Sequence, residues 1–451
     1  MSDYRTALSA LYGLEAFGMR LGLHNVSAYC ESAGHPERAW PCFHIAGSNG
    51  KGTTAWCLAA LARGHGLRTG LYTSPHLVDL RERIRVDGRP IPKSAFVRLW
   101  RKVGPFAEER SMTFFEAGTL IAFEWFAERE VDLAVIEVGL GGRLDATNVV
   151  SPEMTIVTNI ALDHERHLGG DLPAIAREKA GIFKRGVPAL VGDAGPRPVF
   201  EALSAAAIER FAPIAWLTDE ARWRARSTSR GSLVLEYESD RGRLEGLELP
   251  LAGDQFAADA ALALRAWEIA RGAIEPMVAR SAVTAAPPGR MEWRSAGGVP
   301  ILFDVAHNPA ALARLIAVLE RVGPSRWAFV AGILADKRWR DMLDALLAFA
   351  PRGWLCGLES ASPGRRLGEE DARPAIAERP GVTWAGSVGH GLDAARSAVT
   401  GGQADAILVT GSFHTVGEAL VALGLATPDQ PYERSARDVA PPAALAHGGA
   451  S

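Results

Sequence analysis

The segment 43–56, FHIAGSNGKGTTAW, joins a short apolar run to a stretch with helical spacing. Glycines between a strand and a helix let backbone N–H groups converge on phosphate oxygens, and the helix N-terminus adds a favourable dipole. The segment therefore predicts a phosphate-binding loop, with Lys51 at the β- and γ-phosphates and Thr53 or Thr54 within reach of Mg²⁺.

The spacing of this loop differs from the common phosphate loop, G-x-x-x-x-G-K-[ST], in which the hydroxyl residue directly follows the lysine. Here Gly52 separates Lys51 from Thr53, and only two residues separate Gly47 from Gly50. The structural alternative is a glycine-rich turn capped by threonine. The sequence thus indicates a degraded nucleotide site, a glycine turn without a ligand, or a different class of nucleotide enzyme.

Around this loop, continuous apolar runs alternate with helix-like segments, which predicts a parallel sheet covered on both faces. Residues 216–250 instead carry short alternating stretches such as SLVLEYES, which predict a small antiparallel segment. Residues 256–273 again have helical spacing. The Pro-Pro-Gly run at 286–290 predicts an extended connector. After it the alternation restarts, as in a second, smaller doubly wound domain.

We therefore predict an α/β protein: a doubly wound, mostly parallel sheet domain with the phosphate loop, followed by a smaller C-terminal α/β domain of Rossmann-like type. The boundaries are 1–287 for the ATP-binding domain, 288–428 for the C-terminal domain, and 429–451 for a disordered tail rich in Pro, Ala, Gly and Ser.

Composition excludes several function classes. Apolar content of 48% and charged content of 22% are those of an ordinary globular protein, and a net charge of −3 does not favour nucleic-acid binding. The N-terminus lacks the pattern of a signal peptide, and no apolar run is long enough to span a membrane. The four cysteines form no C-x-x-C pair, so we expect a reducing, cytoplasmic location.

Acidic residues and histidines follow several apolar runs. Glu137 closes VDLAVIE and is well placed for a metal beside the phosphate loop, although a solvated strand end is the alternative. His164 of NIALDH, structural if taken alone, becomes a plausible second metal ligand together with Glu137 and Lys51. Asp304 and His307 occupy an equivalent position in DVAHNP of the second domain, where they can serve nucleotide or substrate.

Eight motifs occur in a fixed order between about residues 11 and 425: GSNGKGTT, YTSPHL with ERIRVDG, TFFEAGTL, EVGLGGRLDATN, LDHERHLG with REKAGIFK, PPGRMEW, DVAHNP and GSFHTV. Together they resemble the folylpolyglutamate synthase/dihydrofolate synthase branch of the Mur ligase superfamily. The loop of that family is itself G-x-N-G-K-G-[ST], so the unusual spacing is part of the resemblance.

The resemblance implies the following roles. The ATP phosphates would be bound by Asn49, Gly50, Lys51, Gly52 and Thr53. The magnesium ligands would be Ser74, Glu137 and His164, with one or two Mg²⁺ ions. Lys179 matches a lysine that is carbamylated in the family, where the carbamate supplies an anionic oxygen that supports the metal site; a solvated helix lysine is the alternative. The catalytic set would be Lys51, Glu137, His164, Lys179 and His307.

Further positions match the nucleotide and substrate contacts of the family. Arg290 and Asp304 would hold the nucleotide from the second domain, and His307 and Ser412 would lie near the incoming amino acid. The pterin pocket of the bifunctional enzymes would be lined by Thr113, Phe114, Leu144 and Asp145.

The chain departs from the family pattern at one nucleotide-binding position. The family often reads H-Q-x-x-N-A-A, whereas residues 254–261 read DQFAADAA. Asp259 thus replaces an asparagine, and an ionised carboxylate can only accept hydrogen bonds. Adenine recognition is the part of the resemblance that this change affects.

The implied reaction is ATP-dependent formation of an amide between L-glutamate and dihydropteroate or a folate, through an acyl phosphate, by a monomer. Within this class, an enzyme that only extends folates, or a paralogue that joins another acid to another amino acid, remains open. A non-catalytic ATP-binding switch is the alternative from another class. The second-domain residues disfavour it, because a switch needs no amino-acid-binding domain.

Overall fold

The first sheet of the protein has eight strands in the order β4-β3-β2-β5-β1-β6-β7-β8. The computed structural model describes residues 2–17, 21–164, 168–227, 233–250 and 253–434. The strands of this sheet are β1 (Cys42–Ala46), β2 (Thr69–Tyr72), β3 (Ile84–Val86), β4 (Arg89–Pro90), β5 (Leu133–Glu137), β6 (Met154–Val157), β7 (Ala189–Val191) and β8 (Ile214–Trp216). All neighbouring pairs are parallel except those that involve β3 and β4 at one edge.

Helices cover both faces of this sheet. They are α1 (Ser2–Gly13), α2 (His24–Ser32), α3 (Lys51–Gly64), α4 (Lys93–Glu109), α5 (Phe114–Glu128), α6 (Leu172–Lys179), α7 (Arg197–Arg210), α8 (Leu217–Glu220), α9 (Asp254–Arg271) and α10 (Pro276–Ala282). Phe43 and Ile45 of β1 belong to the hydrophobic cluster that contains α3 and α9, whereas Cys42 belongs to the cluster of α1, α4 and α5. A strand buried on both sides accounts for the unbroken apolar run from which β1 was predicted.

The predicted antiparallel segment forms a three-stranded sheet of β9 (Ala221–Ser227), β10 (Leu233–Ser239) and β11 (Gly242–Leu249). It packs on α9, where the Tyr237 hydroxyl donates to Glu268 at 2.5 Å. The apolar residues of β10 alternate because only one of its faces is covered.

The second domain contains a six-stranded sheet in the order β12-β13-β17-β14-β15-β16. Its strands are β12 (Glu292–Ala296), β13 (Val299–Phe303), β14 (Trp327–Ala331), β15 (Gly353–Gly357), β16 (Val382–Ser387) and β17 (Ala406–Thr410). Its helices are α11 (Pro309–Val322), α12 (Trp339–Phe349), α13 (Glu369–Ala377), α14 (Val388–Thr400) and α15 (Phe413–Ala422). Only β12 runs antiparallel to its neighbour, which confirms the predicted fold class of two mostly parallel α/β sheets.

The boundary placed at residues 287 and 288 falls in the connection between α10 and β12, and the domain limits remain a prediction. The disordered tail at 429–451 also remains a prediction; within its described part, 429–434, Tyr432 is only 5% exposed and hydrogen-bonds to Glu82 and Glu292. Residues 435–451 lie outside the described residues. In the described part of the chain, no helix has the length and apolarity that a bilayer crossing requires.

Candidate active site

The phosphate loop spans the four residues between the end of β1 and the start of α3. Gly47 and Gly50 have φ angles of 147° and 83°, a region that L side chains avoid. A Cβ at Gly50 would lie 2.2 Å from Oδ1 of Asp259, and a Cβ at Gly47 would lie 1.8 Å from Oγ1 of Thr158. Both glycines are therefore required by close approach as well as by backbone conformation.

The loop is anchored to the end of β6. The backbone N–H of Asn49 donates to Oδ1 of Asn159 at 3.1 Å, and Oγ1 of Thr158 donates to the Asn49 carbonyl at 2.6 Å. The Asn49 Nδ2 atom is buried and has no hydrogen-bond partner among the described residues. A preformed loop with an unused donor fits a ligand that presents acceptor oxygens, as ATP does.

Lys51 and Lys179 converge on one carbonyl of this loop. Their Nζ atoms donate to the Gly47 carbonyl at 3.0 Å and 2.8 Å, respectively. Lys179, at the C-terminus of α6, is 5% exposed, and burial together with the charge of Lys51 lowers its pKa to about 7. Two amine groups thus donate to the same carbonyl of the loop, and that of Lys179 is partly unprotonated near pH 7.

Glu137 and Ser74 meet at the ends of the neighbouring strands β5 and β2. The Ser74 N–H donates to Oε2 of Glu137 at 3.1 Å. Glu137 is 4% exposed, and burial raises its pKa to about 6 despite the nearby charge of Lys51. A Cβ at Gly52 would lie 3.8 Å from the same Oε2, so the glycine after Lys51 faces this carboxylate.

The buried carboxylate and the adjacent serine offer the oxygen ligands that a Mg²⁺ ion prefers, and they fit that ion. The predicted third ligand, His164, is placed differently: its Nε2 lies 3.1 Å from the Nζ of Lys337. Burial and the charge of Lys337 lower the pKa of His164 to about 3. Among the described residues, no three His, Cys, Asp or Glu side chains converge as a metal site. The ligand set Ser74, Glu137 and His164 therefore remains a prediction.

Asp163 joins the two domains. Lys337 donates to its Oδ1 at 2.5 Å, and Nε2 of His307 and Nδ2 of Asn308 lie 3.5 Å and 3.2 Å from its Oδ2. Asn308 also donates to Oδ1 of Asn49 in the phosphate loop at 3.1 Å. Burial alone would raise the pKa of Asp163, but the hydrogen bond from His307 and the charge of Lys337 hold it well below its usual range.

Lys337 and Asn308, which contact the first domain from the second, were not predicted from the sequence. Each follows a strand of the second domain, Lys337 after WAFVAGILAD and Asn308 directly after His307. The position of polar residues after an apolar run was the available signal, and it had already identified Asp304 and His307.

Arg290 and Asp304 lie at the connector between the domains. Asp304 is 5% exposed and accepts from the N–H groups of Met291 and Ala306 at 3.0 Å and 2.9 Å, while burial raises its pKa. The Arg290 guanidinium lies 5.4 Å from the centre of the Phe413 ring. Its charge opposes the effect of burial on the pKa of Asp304.

Asp259 points at the phosphate loop from α9. It is 8% exposed, and burial raises its pKa to about 7, against the opposing charges of Arg290 and Arg314. Its carboxylate lies against Gly50, so the substitution noted in the sequence brings a titratable group to the phosphate end of the site.

His307 and Ser412 lie at the start of helices of the second domain. The Nδ1 of His307 is 3.0 Å from the Val305 carbonyl, and burial lowers its pKa. The Ser412 hydroxyl accepts from the Thr415 N–H at 3.1 Å and donates to the Gly332 carbonyl at 2.8 Å. Ser412 thus caps α15, and its predicted contact with the amino acid remains a prediction.

The residues predicted to line the pterin pocket also have structural partners. Thr113 caps α5: its Oγ1 accepts from the Glu116 N–H at 3.2 Å, and Glu116 accepts from the Thr113 N–H at 2.7 Å. The ring of Phe114 stacks on Tyr12, with centroids 5.2 Å apart, and Arg83 lies 5.1 Å from its centre. These aromatic rings offer a flat surface to a ligand.

Asp145 and Leu144 lie in the loop after β5. Asp145 is 3% exposed and accepts from the N–H groups of Leu140 and Thr147 at 2.8 Å and 3.0 Å, while burial raises its pKa. The Leu144 carbonyl accepts from the Gly22 N–H at 3.2 Å. Because Asp145 already holds the loop together, its pterin contact remains a prediction.

Two family models match the chain in the order of its domains. Residues 45–266 match the Mur ligase middle domain, and residues 289–413 match the glutamate ligase domain of Mur ligases. Among curated proteins, the chain is 36% identical to the dihydrofolate synthase/folylpolyglutamate synthase of Escherichia coli strain K12, over 92% of this chain and 94% of that protein. It is 34% identical to the enzyme of the same name from Mycobacterium tuberculosis, over 89% and 90%.

The chain is also similar to solved structures of enzymes with these names. The folylpolyglutamate synthase of Mycobacterium tuberculosis complexed with ADP superimposes with a TM-score of 0.85 at 32% identity, over 94% of this chain and all of that one. The structure of Escherichia coli FolC in complex with DHPP and ADP has a TM-score of 0.83 at 33% identity, over 93% and 98%. A bifunctional folylpolyglutamate synthase/dihydrofolate synthase with Mn, AMPPNP and L-glutamate bound has a TM-score of 0.80 at 30% identity, over 93% and 98%.

Proposed function

The chain belongs to the Mur ligase family, in its dihydrofolate synthase/folylpolyglutamate synthase branch, and from this premise we propose how its residues carry out the reaction. The protein is an ATP-dependent carbon–nitrogen ligase that joins L-glutamate to a pterin acid or a folate. The observation that supports our assignment of roles is the convergence of Lys51, Lys179 and Asn308 on the Gly47–Asn49 segment of the loop.

In the first step, a carboxylate oxygen of the pterin acid or folate attacks the γ-phosphorus of ATP, and the bond to ADP breaks. Transfer of this kind depends mainly on positioning and charge neutralisation. Lys51 and the N–H groups of the loop neutralise the phosphates, and Arg290 approaches them from the second domain. Glu137 and Ser74 would hold a divalent cation, whose contribution is further neutralisation of phosphate charge.

In the second step, the amine of L-glutamate attacks the acyl carbon, a tetrahedral intermediate forms, and phosphate leaves as the amide is completed. We place the glutamate beside His307 in the second domain. No side chain becomes covalently attached to the substrate. Contacts from Asn308 and Lys337 to the first domain keep the site closed, so that water does not hydrolyse the acyl phosphate.

Nucleotide and metal use are supported by the relatives, since the similar structures hold ADP, or AMPPNP with Mn. We propose MgATP as the nucleotide substrate and a monomeric, cytoplasmic enzyme. The cytoplasmic location is supported by the four cysteines, which are all unpaired and buried.

Carbamylation of Lys179 is a further part of the proposal. A pKa of about 7 leaves a large fraction of the buried amine neutral, and a neutral amine can add CO₂ with release of one proton. We expect activity in CO₂-free buffer to fall and to recover with bicarbonate, with a carbamate signal in ¹³C NMR that is absent from Lys179→Arg. Full activity without CO₂, and no such signal, would contradict this part.

The test of the function is a product assay by mass spectrometry, with dihydropteroate or tetrahydrofolate, L-glutamate and MgATP. We expect the glutamyl amide with both acids, with phosphate release that requires an acid and glutamate together. Product from tetrahydrofolate alone would restrict the enzyme to folate extension. Phosphate release that needs neither substrate would support an ATP-driven switch. Full ligation activity in a Lys51→Ala protein would contradict the assignment of Lys51 to the phosphate site.

A further inference from the structure

The last described residues, 429–434, form a strap that crosses both domains. On the first domain, Arg81 donates to the Asp429 carbonyl at 3.1 Å, and the Tyr432 N–H donates to Oε1 of Glu82 at 3.0 Å. Glu433 pairs with Arg85, a fully buried cation, at 2.6 Å. Three contacts tie the strap to residues 81–85, which lead into and form part of β3.

The same strap is bonded to the first strand of the second domain. The Tyr432 hydroxyl donates to Oε1 of Glu292 at 2.5 Å and accepts from Nε of Arg294 at 3.0 Å. Glu292 is itself fully buried, and its other oxygen accepts from the Gly289 N–H at 2.7 Å. Tyr432 therefore orients the carboxylate that holds the connector between the domains.

The end of the strap contacts this connector directly. Arg434 donates through Nη1 to the carbonyl of Arg290 at 2.9 Å and through Nη2 to the carbonyl of Pro250 at 3.4 Å. One guanidinium thus links the residue after β11 of the first domain to the peptide that carries the Arg290 side chain.

The connector needs such support because its backbone is unusual. Gly289 and Met291 have φ angles of 72° and 43°, and a residue with a side chain at positive φ persists only where its surroundings hold it. The turn is held at three successive groups: the Gly289 N–H by Glu292, the Arg290 carbonyl by Arg434, and the Met291 N–H by Asp304. Two of these three contacts depend on the strap.

The Arg290 guanidinium lies 5.4 Å from the centre of the Phe413 ring, and its charge acts on two carboxylates at the phosphate loop. Burial raises the pKa values of Glu137 and Asp259, whose carboxylates face Gly52 and Gly50, and the charge of Arg290 opposes this rise at both groups. A change in the turn would move the guanidinium relative to the phosphates of a bound nucleotide.

We propose that Tyr432 and Arg434 are positioning residues for ATP binding: the strap fixes the connector turn and thereby directs Arg290 at the nucleotide phosphates. The proposal rests on the proposed role of Arg290 as a nucleotide-binding residue.

The experiment compares Arg434→Met, Arg434→Lys and Arg290→Met in the full chain, with Arg373→Met as the matched control. Arg373 is an exposed arginine of α13 whose ion pair, with Glu369, lies within one helix. We expect Arg434→Met to raise the KM for ATP about tenfold and to leave the KM for glutamate nearly unchanged. Arg434→Lys should recover much of the loss, since an ammonium group can still donate to the Arg290 carbonyl.

A double-mutant cycle separates the two parts of the argument. If Arg434 acts through Arg290, Arg434→Met has no further effect on the KM for ATP in an Arg290→Met background. Equal ATP KM values for Arg434→Met and the control, or the same loss in both backgrounds, would overturn the strap's role. An Arg290→Met enzyme with unchanged KM for ATP would instead overturn the assigned role of Arg290.

If Arg434→Met fails to fold, Tyr432→Phe provides a second test of the same proposal. Tyr432→Phe removes only one hydroxyl, and Glu292 also pairs with Arg294 at 2.6 Å, so we expect this variant to fold. We expect a rise of about threefold in the KM for ATP, again absent in the Arg290→Met background. An unchanged KM for ATP in a folded Tyr432→Phe enzyme counts against the proposal.

Discussion

At the scale of single residues, Asp259 distinguishes this chain from the pattern of its family. A carboxylate beside the phosphate loop would repel the phosphates of ATP if it were ionised. Burial opposes ionisation and raises the pKa to about 7, so the group is largely neutral below that pH. A protonated carboxyl group can donate a hydrogen bond, as the asparagine of the family can.

Because Asp259 titrates near pH 7, we expect ATP binding to depend on pH. As the pH rises through 7, Asp259 loses its proton, and the new negative charge next to Gly50 weakens ATP binding. We expect the KM for ATP of the wild type to rise about threefold to tenfold between about pH 6.5 and about pH 8.5, and that of Asp259→Asn to stay low. The measurement is the KM for ATP across this range.

The control for this prediction is Asp254→Asn, an exposed carboxylate in the same helix, with 73% of its side chain accessible. It should follow the wild-type curve. Parallel pH profiles for wild type and Asp259→Asn would show that Asp259 does not titrate in this range.

Residue roles could be read from the sequence where they depend on local position. Lys51 and Glu137 follow from a glycine loop and a strand end, and both lie at the site. Lys337 could not be found in this way, because its partner Asp163 is 174 positions away and lies in the other domain. Spacing along the chain carries no information about which strand ends face one another after the domains pack.

At the scale of elements, α5 begins with a reciprocal cap between Thr113 and Glu116. The cap satisfies two backbone N–H groups at a helix start that is otherwise buried. Thr113 thus has a structural role, whether or not it also touches a pterin.

We expect Thr113→Ala to lower the free energy of unfolding by about 1 kcal/mol, since the cap loses its acceptor. Thr113→Ser keeps the hydroxyl and should lose less than about half of that. The measurement is urea unfolding of both variants, together with the KM for dihydropteroate. An unchanged unfolding midpoint with a raised KM for dihydropteroate would assign Thr113 to substrate binding alone.

Elements with continuous apolar runs were predicted well, because a strand buried on both faces has no polar interruption; β5, which ends the run VDLAVIE, is an example. In contrast, β16 was missed. It is an edge strand, VTWAGS, in which Val382 is the one buried residue, and α14 follows it at once without a proline break. The contacts of the strap were not predicted for a related reason: a polar, proline-containing segment is typical of disorder, yet one buried tyrosine and two ion pairs, Arg5–Asp429 and Arg85–Glu433, hold residues 429–434.

At the scale of the whole molecule, the two domains meet through buried polar contacts at the phosphate loop. Asp163 and Lys337 are 7% and 6% exposed, and their ion pair sits beside the contact between Asn308 and Asn49. Such contacts set the geometry in which an acyl phosphate is made and consumed. Sequence patterns predict each domain, but the relative orientation of the domains depends on the connector turn and on these side chains.

ATP use stays coupled to amide formation only while the two domains exclude water from the acyl phosphate. Replacing Lys337 by Met removes the nearest cation from the buried Asp163 carboxylate, a situation that costs about 3–5 kcal/mol if the contact stays closed. The domains will instead separate part of the time and admit water, which hydrolyses the acyl phosphate. We expect the ratio of phosphate released to amide formed, about one in the wild type, to rise severalfold in Lys337→Met. The matched control is Arg338→Met, whose side chain is 53% exposed and pairs with Asp341 on the surface. A ratio near one in both variants, with a lower rate in Lys337→Met only, would show that Lys337 assists the reaction without keeping water out.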